Sequence, residues 1–98
     1  MTRAYVVVDV EITDPEVYEQ YRDIAYPVIE KFGGKYLVRG GVAEVREGDW
    51  TFSRLIIVEF GTMALAREWY ESPEYQPAID VIKRSTKRKL VIVEGVAD

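Results

Sequence analysis

Apolar residues fall on both phases of a two-residue repeat between Ala4 and Ile12. Val6, Val8 and Val10 occupy one phase; Tyr5 and Val7 share the other with Asp9 and Glu11. That period predicts a strand. Thr13-Asp14-Pro15 ends it and opens a helix, with Asp14 as N-cap and Pro15 where its missing N–H costs nothing. Val17, Tyr18, Tyr21, Ala25, Val28, Ile29 and Phe32 then recur at helical spacing. Pro27 predicts a kink or a division of this helix. Gly33-Gly34 predicts its end.

The pattern returns to strand from Lys35 to Val45, with Gly40 and Gly41 inside it suggesting a bulge or a close backbone approach. Glu47-Gly48-Asp49 reads as a hairpin turn, and Phe52 to Phe60 as the third strand. Thr62 is placed to cap a second helix whose inward stripe is Ala66, Trp69 and Tyr70. Ser72-Pro73-Glu74-Tyr75 repeats the cap-then-proline signal, so a further helix is expected to begin there, burying Ile79 and Ile82, with Pro77 making its first turn irregular. Lys89 to Glu94 is the last strand.

The order βαββαβ predicts an α+β, ferredoxin-like domain spanning residues 1–98. Its antiparallel sheet of four strands runs fourth, first, third, second, with the helices on one face. A sheet with one wet face alternates apolar and polar residues. Here Ile56, Val58 and Phe60 oppose Leu55 and Ile57, as the valines of the first strand oppose Tyr5 and Val7. Helices cover only one of these faces. The other predicts a homodimer packed sheet on sheet; a loop or the C-terminal tail folding over that face is the alternative.

Composition narrows the chemistry. The chain has 98 residues, 48% hydrophobic, and a net charge of -4. That balance argues against nucleic acid and against anionic membrane as partners. No stretch reads as a signal or a span, so a cytoplasmic protein is expected. There is no cysteine and no histidine, which excludes thiol nucleophiles, thiolate metal sites and a Ser-His-Asp triad within the chain. Any acid–base work falls to Asp, Glu, Lys or Tyr. No glycine-rich phosphate loop or calcium loop is present, and no cofactor or metal is called for.

Several segments are similar to those of a known family. Gly33-Gly34-Lys35-Tyr36-Leu37-Val38-Arg39-Gly40-Gly41 resembles its glycine–basic–aromatic segment. Glu47-Gly48-Asp49-Trp50 with Arg54 and Glu59-Phe60 resembles its central hairpin, and Trp69-Tyr70-Glu71-Ser72-Pro73-Glu74-Tyr75-Gln76 its helix-end motif. The family is the domain of unknown function 1330, in the dimeric α/β-barrel superfamily, and the likeness covers nearly the whole chain. Gly61 and Pro77 depart from its pattern. The resemblance implies a ferredoxin-like fold and a dimeric α/β barrel. It also implies a cavity beside the sheet for a small acidic or aromatic molecule, with cofactor-independent isomerase-, monooxygenase- or lyase-like chemistry. It implies no particular reaction.

Strand alternation puts Asp9, Arg39 and Glu59 together on the face away from the helices. There Arg39 is a candidate anion holder and Asp9 or Glu59 a candidate base. The plainer reading is an interface ion-pair network in a non-catalytic dimer, in which Lys35 also pairs with Glu59. Trp50 and Arg54 form a second candidate, stacked together or lining a pocket mouth. Tyr18, Tyr21, Trp69, Tyr70 and Tyr75 make an aromatic seam that helical spacing assigns mostly to the core, with Tyr18, Trp69 and Tyr75 as candidate ligand contacts. The run Lys83-Arg84-Ser85-Thr86-Lys87-Arg88-Lys89 reads as a solvated helix end favoured by the helix dipole.

Overall fold

The computed structural model describes residues 2–97. Its elements are β1 (Ala4–Ile12), α1 (Pro15–Lys31), β2 (Lys35–Arg39), β3 (Leu55–Phe60), α2 (Met63–Glu71), α3 (Gln76–Ser85) and β4 (Thr86–Glu94). They form the expected antiparallel sheet, ordered β2-β3-β1-β4. No helix among the described residues is long and apolar enough to cross a membrane.

The caps behave as their chemistry requires. Asp14 Oδ1 accepts from the Val17 N–H at 3.3 Å, and Thr62 Oγ1 from Leu65 at 3.1 Å. Helix α1 runs unbroken through Pro27. It ends in a Schellman arrangement, Gly33 N–H donating to the Glu30 carbonyl and Gly34 N–H to that of Ile29. Gly34 is there for space. A Cβ on it would lie 2.6 Å from Ile29 Cγ2 and 2.9 Å from the Phe60 ring, both buried. The turn thereby locks α1 onto β3.

Val6, Val8, Val10, Val58 and Phe60 bury one sheet face beneath Tyr18, Tyr21, Ala25 and Ile29 of α1, Trp69 of α2 and Val81 and Ile82 of α3. Tyr75 is sealed between them.

Four boundaries differ from the sequence reading. Strand β2 stops at Arg39 instead of Val45, and β3 starts at Leu55 instead of Phe52. Between them residues 40–54 form a long connection that bends at Glu47-Gly48 without a flanking ladder. Helix α3 starts at Gln76. Ser72 Oγ donates to the Trp69 carbonyl and accepts from the Tyr75 N–H, holding residues 72–75 as a turn instead of a helix start. Strand β4 starts at Thr86, directly off α3, because Thr86 Oγ1 donates to the Ile82 carbonyl at 2.8 Å and closes the helix.

The expected bulge is present, but at Leu37 and not at the glycines. Tyr36 pairs with Val58 and Val38 with Ile57, so one extra residue sits in β2. An extra residue reverses which face every later side chain takes.

Candidate functional site

That reversal moves Arg39. An unbroken strand would set it beside Leu55 on the open face; instead it pairs with Ile56 and enters the helix side. The predicted cluster of Asp9, Arg39 and Glu59 therefore does not form. Asp9 stays on the open face and accepts from the Ser53 N–H at 3.0 Å. Glu59 also stays there, opposite Lys35 in the register, with Arg3 Nε at 3.9 Å. The two carboxylates read as bases thus lie across the sheet from the arginine they were meant to serve.

The predicted pairing of Trp50 with Arg54 also separates. Trp50 stands 60% exposed on the open side and meets Phe52 edge-to-face. Arg54 is in step with Ile56, Val58 and Phe60, so its side chain goes to the helix side. Its carbonyl accepts from the Val10 N–H, which prolongs the β1–β3 ladder. Gly40 makes room for it. A Cβ there would lie 2.6 Å from Arg54 Nε, and the backbone at φ +73° suits glycine.

Between helices and sheet these residues enclose a cavity. Arg22, Arg39, Arg54 and Arg88 reach it, together with Tyr18, Tyr21, Tyr26, Tyr36 and Trp69, over a floor of Val6, Val8, Val10, Ile56 and Val58. Four of the chain's eight arginines line it, and no carboxylate does. Its free volume is about 30 Å³, room for one or two water molecules.

Three of the arginines are held in different ways, and Arg22 is exposed. Arg39, at the exposed mouth, donates to the Tyr26 hydroxyl at 3.1 Å and lies over the Tyr26 and Tyr36 rings, 5.4 and 5.1 Å from their centres. Arg88 donates to the Tyr75 hydroxyl at 3.2 Å, and that oxygen shares a 2.8 Å hydrogen bond with Tyr21. Burial works against the Arg88 charge, but Tyr75 and Tyr21 outweigh it, and the guanidinium holds its proton more tightly than usual. Arg54 Nε is buried and finds no acceptor among the described residues; nor does the Trp69 indole N–H.

Of the residues singled out from sequence, Tyr18, Tyr21, Arg39, Arg54 and Trp69 meet in this cavity. Tyr75 stands just behind it through Tyr21 and Arg88. Asp9, Glu59 and Trp50 lie elsewhere. Sequence reasoning missed Arg22, Tyr26, Tyr36 and Arg88 as cavity residues. For Arg88 the signal existed: with β4 counted from Thr86, alternation puts it in phase with Leu90 and Ile92, which face the core.

Burial raises the pKa of Tyr18 although Arg54 pulls the other way. It also raises Tyr21, reinforced by Tyr75, and Tyr36, reinforced by Tyr26. These phenols stay protonated at neutral pH, where they can donate hydrogen bonds but cannot serve as bases. Above the ordinary value of 10.0 the unfolded chain releases phenolic protons that the folded state keeps. Stability is therefore intact below that pH and falls above it. An ultraviolet titration of tyrosinate is expected to show these three phenols ionising late, together with alkaline unfolding. A smooth titration of every tyrosine at the ordinary value, with the fold intact, would show the cavity to be wet.

Among the described residues, no group of three or more carboxylates converges as a metal site. What the arrangement can do is hold an anion against aromatic walls and donate hydrogen bonds to it.

Comparison with solved structures gives the same fold. A protein of unknown function from Rhodopseudomonas palustris superposes with a TM-score of 0.79 at 19% identity, over 99% of this chain and 85% of its own. SnoaB, a cofactor-independent oxygenase from Streptomyces nogalater, gives 0.67 at 12% identity, over 100% and 97%. A dimeric ferredoxin-like protein of unknown function from Bacteroides fragilis gives 0.61 at 14%, over 95% and 96%. No functionally curated protein matches the chain. Residues 3–96 match the model of the domain of unknown function DUF1330, and the chain belongs to that family.

Proposed function

We propose that this protein binds a small, partly apolar organic acid in the helix-side cavity, as a homodimer closed through the open face of its sheet. One observation carries the first part: four arginines converge on an aromatic cavity that no carboxylate lines. A guanidinium withdrawn from water is costly unless an anion pairs with it. Nothing in the lining supplies that anion, and a ligand carboxylate would do so in matched, two-pronged geometry.

The apolar floor and tyrosine walls favour a ligand with a hydrocarbon or ring body over a bare mineral anion. A ring-sized body exceeds the present free space. It enters as Arg39, exposed at the mouth, swings off the Tyr26–Tyr36 stack.

Binding is favoured over proton abstraction, because the candidate carboxylate bases sit on the opposite face and the buried tyrosines keep their protons. The shared fold with a cofactor-independent oxygenase adds no base to this lining. The dimer rests on the apolar open face: Leu37, Val91 and Val93 are each about half exposed beside Tyr5, Val7, Leu55 and Ile57. The Bacteroides fragilis relative is described as dimeric.

Calorimetric titration with benzoate, acetate, inorganic phosphate and benzyl alcohol tests the cavity. Benzoate is expected to bind most tightly, benzyl alcohol not measurably, and benzoate affinity to fall as salt is raised. Equal affinity for the neutral alcohol and the acid would overturn the reading.

A further inference from the structure

The two buried donors without acceptors, Arg54 Nε and Trp69 Nε1, belong to residues that line one and the same cavity. They differ in kind. The first belongs to a cation and is matched by an acid. The second is a neutral N–H that brings no charge of its own, so in a site that already holds one acid an uncharged oxygen satisfies it without burying a second charge.

They also differ in depth. Trp69 is 2% exposed, packed on Phe60 at 5.3 Å and on Tyr75 at 4.5 Å between ring centres. Arg54 is only half-buried, and Arg39 and Arg22 are exposed at the entrance. The neighbouring hydroxyls offer Trp69 no acceptor. Tyr75 is engaged with Tyr21 and Arg88, and Tyr26 with Arg39. Ser72, on the next turn, spends its hydroxyl on the Trp69 carbonyl. A buried donor left without an acceptor is a standing cost that a correctly placed oxygen removes.

We propose that the ligand is an aromatic acid carrying a second, uncharged oxygen, a hydroxyl or a carbonyl, at the end remote from the acid. The acid lies with Arg54, and the second oxygen accepts from the Trp69 indole N–H at the closed end. This rests on the acid-binding reading above and deepens it. Trp69 becomes a specificity-determining residue as well as part of the core.

The test uses the intact protein and three probes: benzoate, 3-hydroxybenzoate and 4-hydroxybenzoate. At least one hydroxybenzoate is expected to bind about tenfold more tightly than benzoate, the return on one buried hydrogen bond. In Trp69→Phe that ratio is expected to fall to about one, because the ring remains and the donor is gone.

Because Trp69 is also a core residue, a second measurement needs no variant. In nitrogen-15 spectra of the unmodified protein, the Trp69 indole N–H resonance is expected to shift strongly with the hydroxybenzoate and only weakly with benzoate. Trp50, exposed on the other side of the sheet, stays still and serves as the internal control. If benzoate binds but neither hydroxybenzoate gains affinity or shifts the Trp69 signal, that N–H faces a neighbouring ring or water. The inference then fails while acid binding stands. If none of the three binds at millimolar concentration, the acid-binding reading itself fails.

Discussion

Replacing Arg54 with Met is expected to abolish measurable benzoate binding and to leave the unliganded protein as stable as before or more so. The two effects have opposite signs for one physical reason. In the free protein Arg54 is half-buried beneath Gly40, with its Nε buried and no acceptor for that N–H among the described residues. Leaving that buried donor unsatisfied costs folding free energy, so exchanging the side chain for an apolar one of similar length is expected to be neutral or stabilising by about 1–3 kcal/mol. In the complex the same guanidinium faces a carboxylate in a poorly hydrated site. Deleting one partner of such a pair costs about 2–5 kcal/mol, which spans affinity losses from about 30-fold to more than 1,000-fold. Titration calorimetry gives the first quantity. Urea unfolding at constant m gives the second. A structural arginine would behave in the reverse way: Arg54→Met would lose several kcal/mol of stability and leave benzoate binding where it was. That outcome would remove the central anchor from the proposed site.

The fold was legible in the sequence because its signals were redundant. Asp14-Pro15 and Thr62 announced two helix starts, Gly33-Gly34 a stop, and the valines of β1 and isoleucines of β3 showed both sheet faces to be apolar. The site was less legible because it depends on single-residue phase. Leu37 carries no mark that it would be the extra residue of a bulge; it is an ordinary strand residue, and only the pairing of Val38 with Ile57 reveals the slip. One such slip carries Arg39 through the sheet and dissolves the predicted cluster with Asp9 and Glu59. Arg88 was hidden differently. Inside a basic run it looks solvated, and its inward phase emerges only once α3 is seen to pass into β4 without a loop. Net charge was silent on the site, since an acidic chain of -4 still gathers four of its arginines around one hole.

Placing a carboxylate at the centre of the open face, as in Ile57→Asp, is expected to convert a dimer into folded monomers. Ile57 lies opposite Val7, and Val7 in turn opposite Val91, so the three form a continuous band across β3, β1 and β4. In the monomer the new side chain points into water, and no core contact is lost. In a sheet-on-sheet dimer it meets its own copy or an apolar neighbour in the dry middle of the interface. An unpaired ion there costs several kcal/mol, so association is expected to weaken by at least about 100-fold. Sedimentation at micromolar concentration checks this, with circular dichroism confirming the retained sheet. The melting temperature of the unmodified protein is expected to rise with concentration, and that of Ile57→Asp to stay constant. A wild-type chain that sediments at 11.3 kDa at high concentration would sink the dimer, as would an Ile57→Asp protein that still pairs. Because the sheet itself separates the two faces, the Ile57→Asp monomer is expected to keep its affinity for benzoate. Loss of binding on dissociation would mean that the partner helps to form the cavity, which the enclosure of Arg54 and Trp69 within one chain argues against.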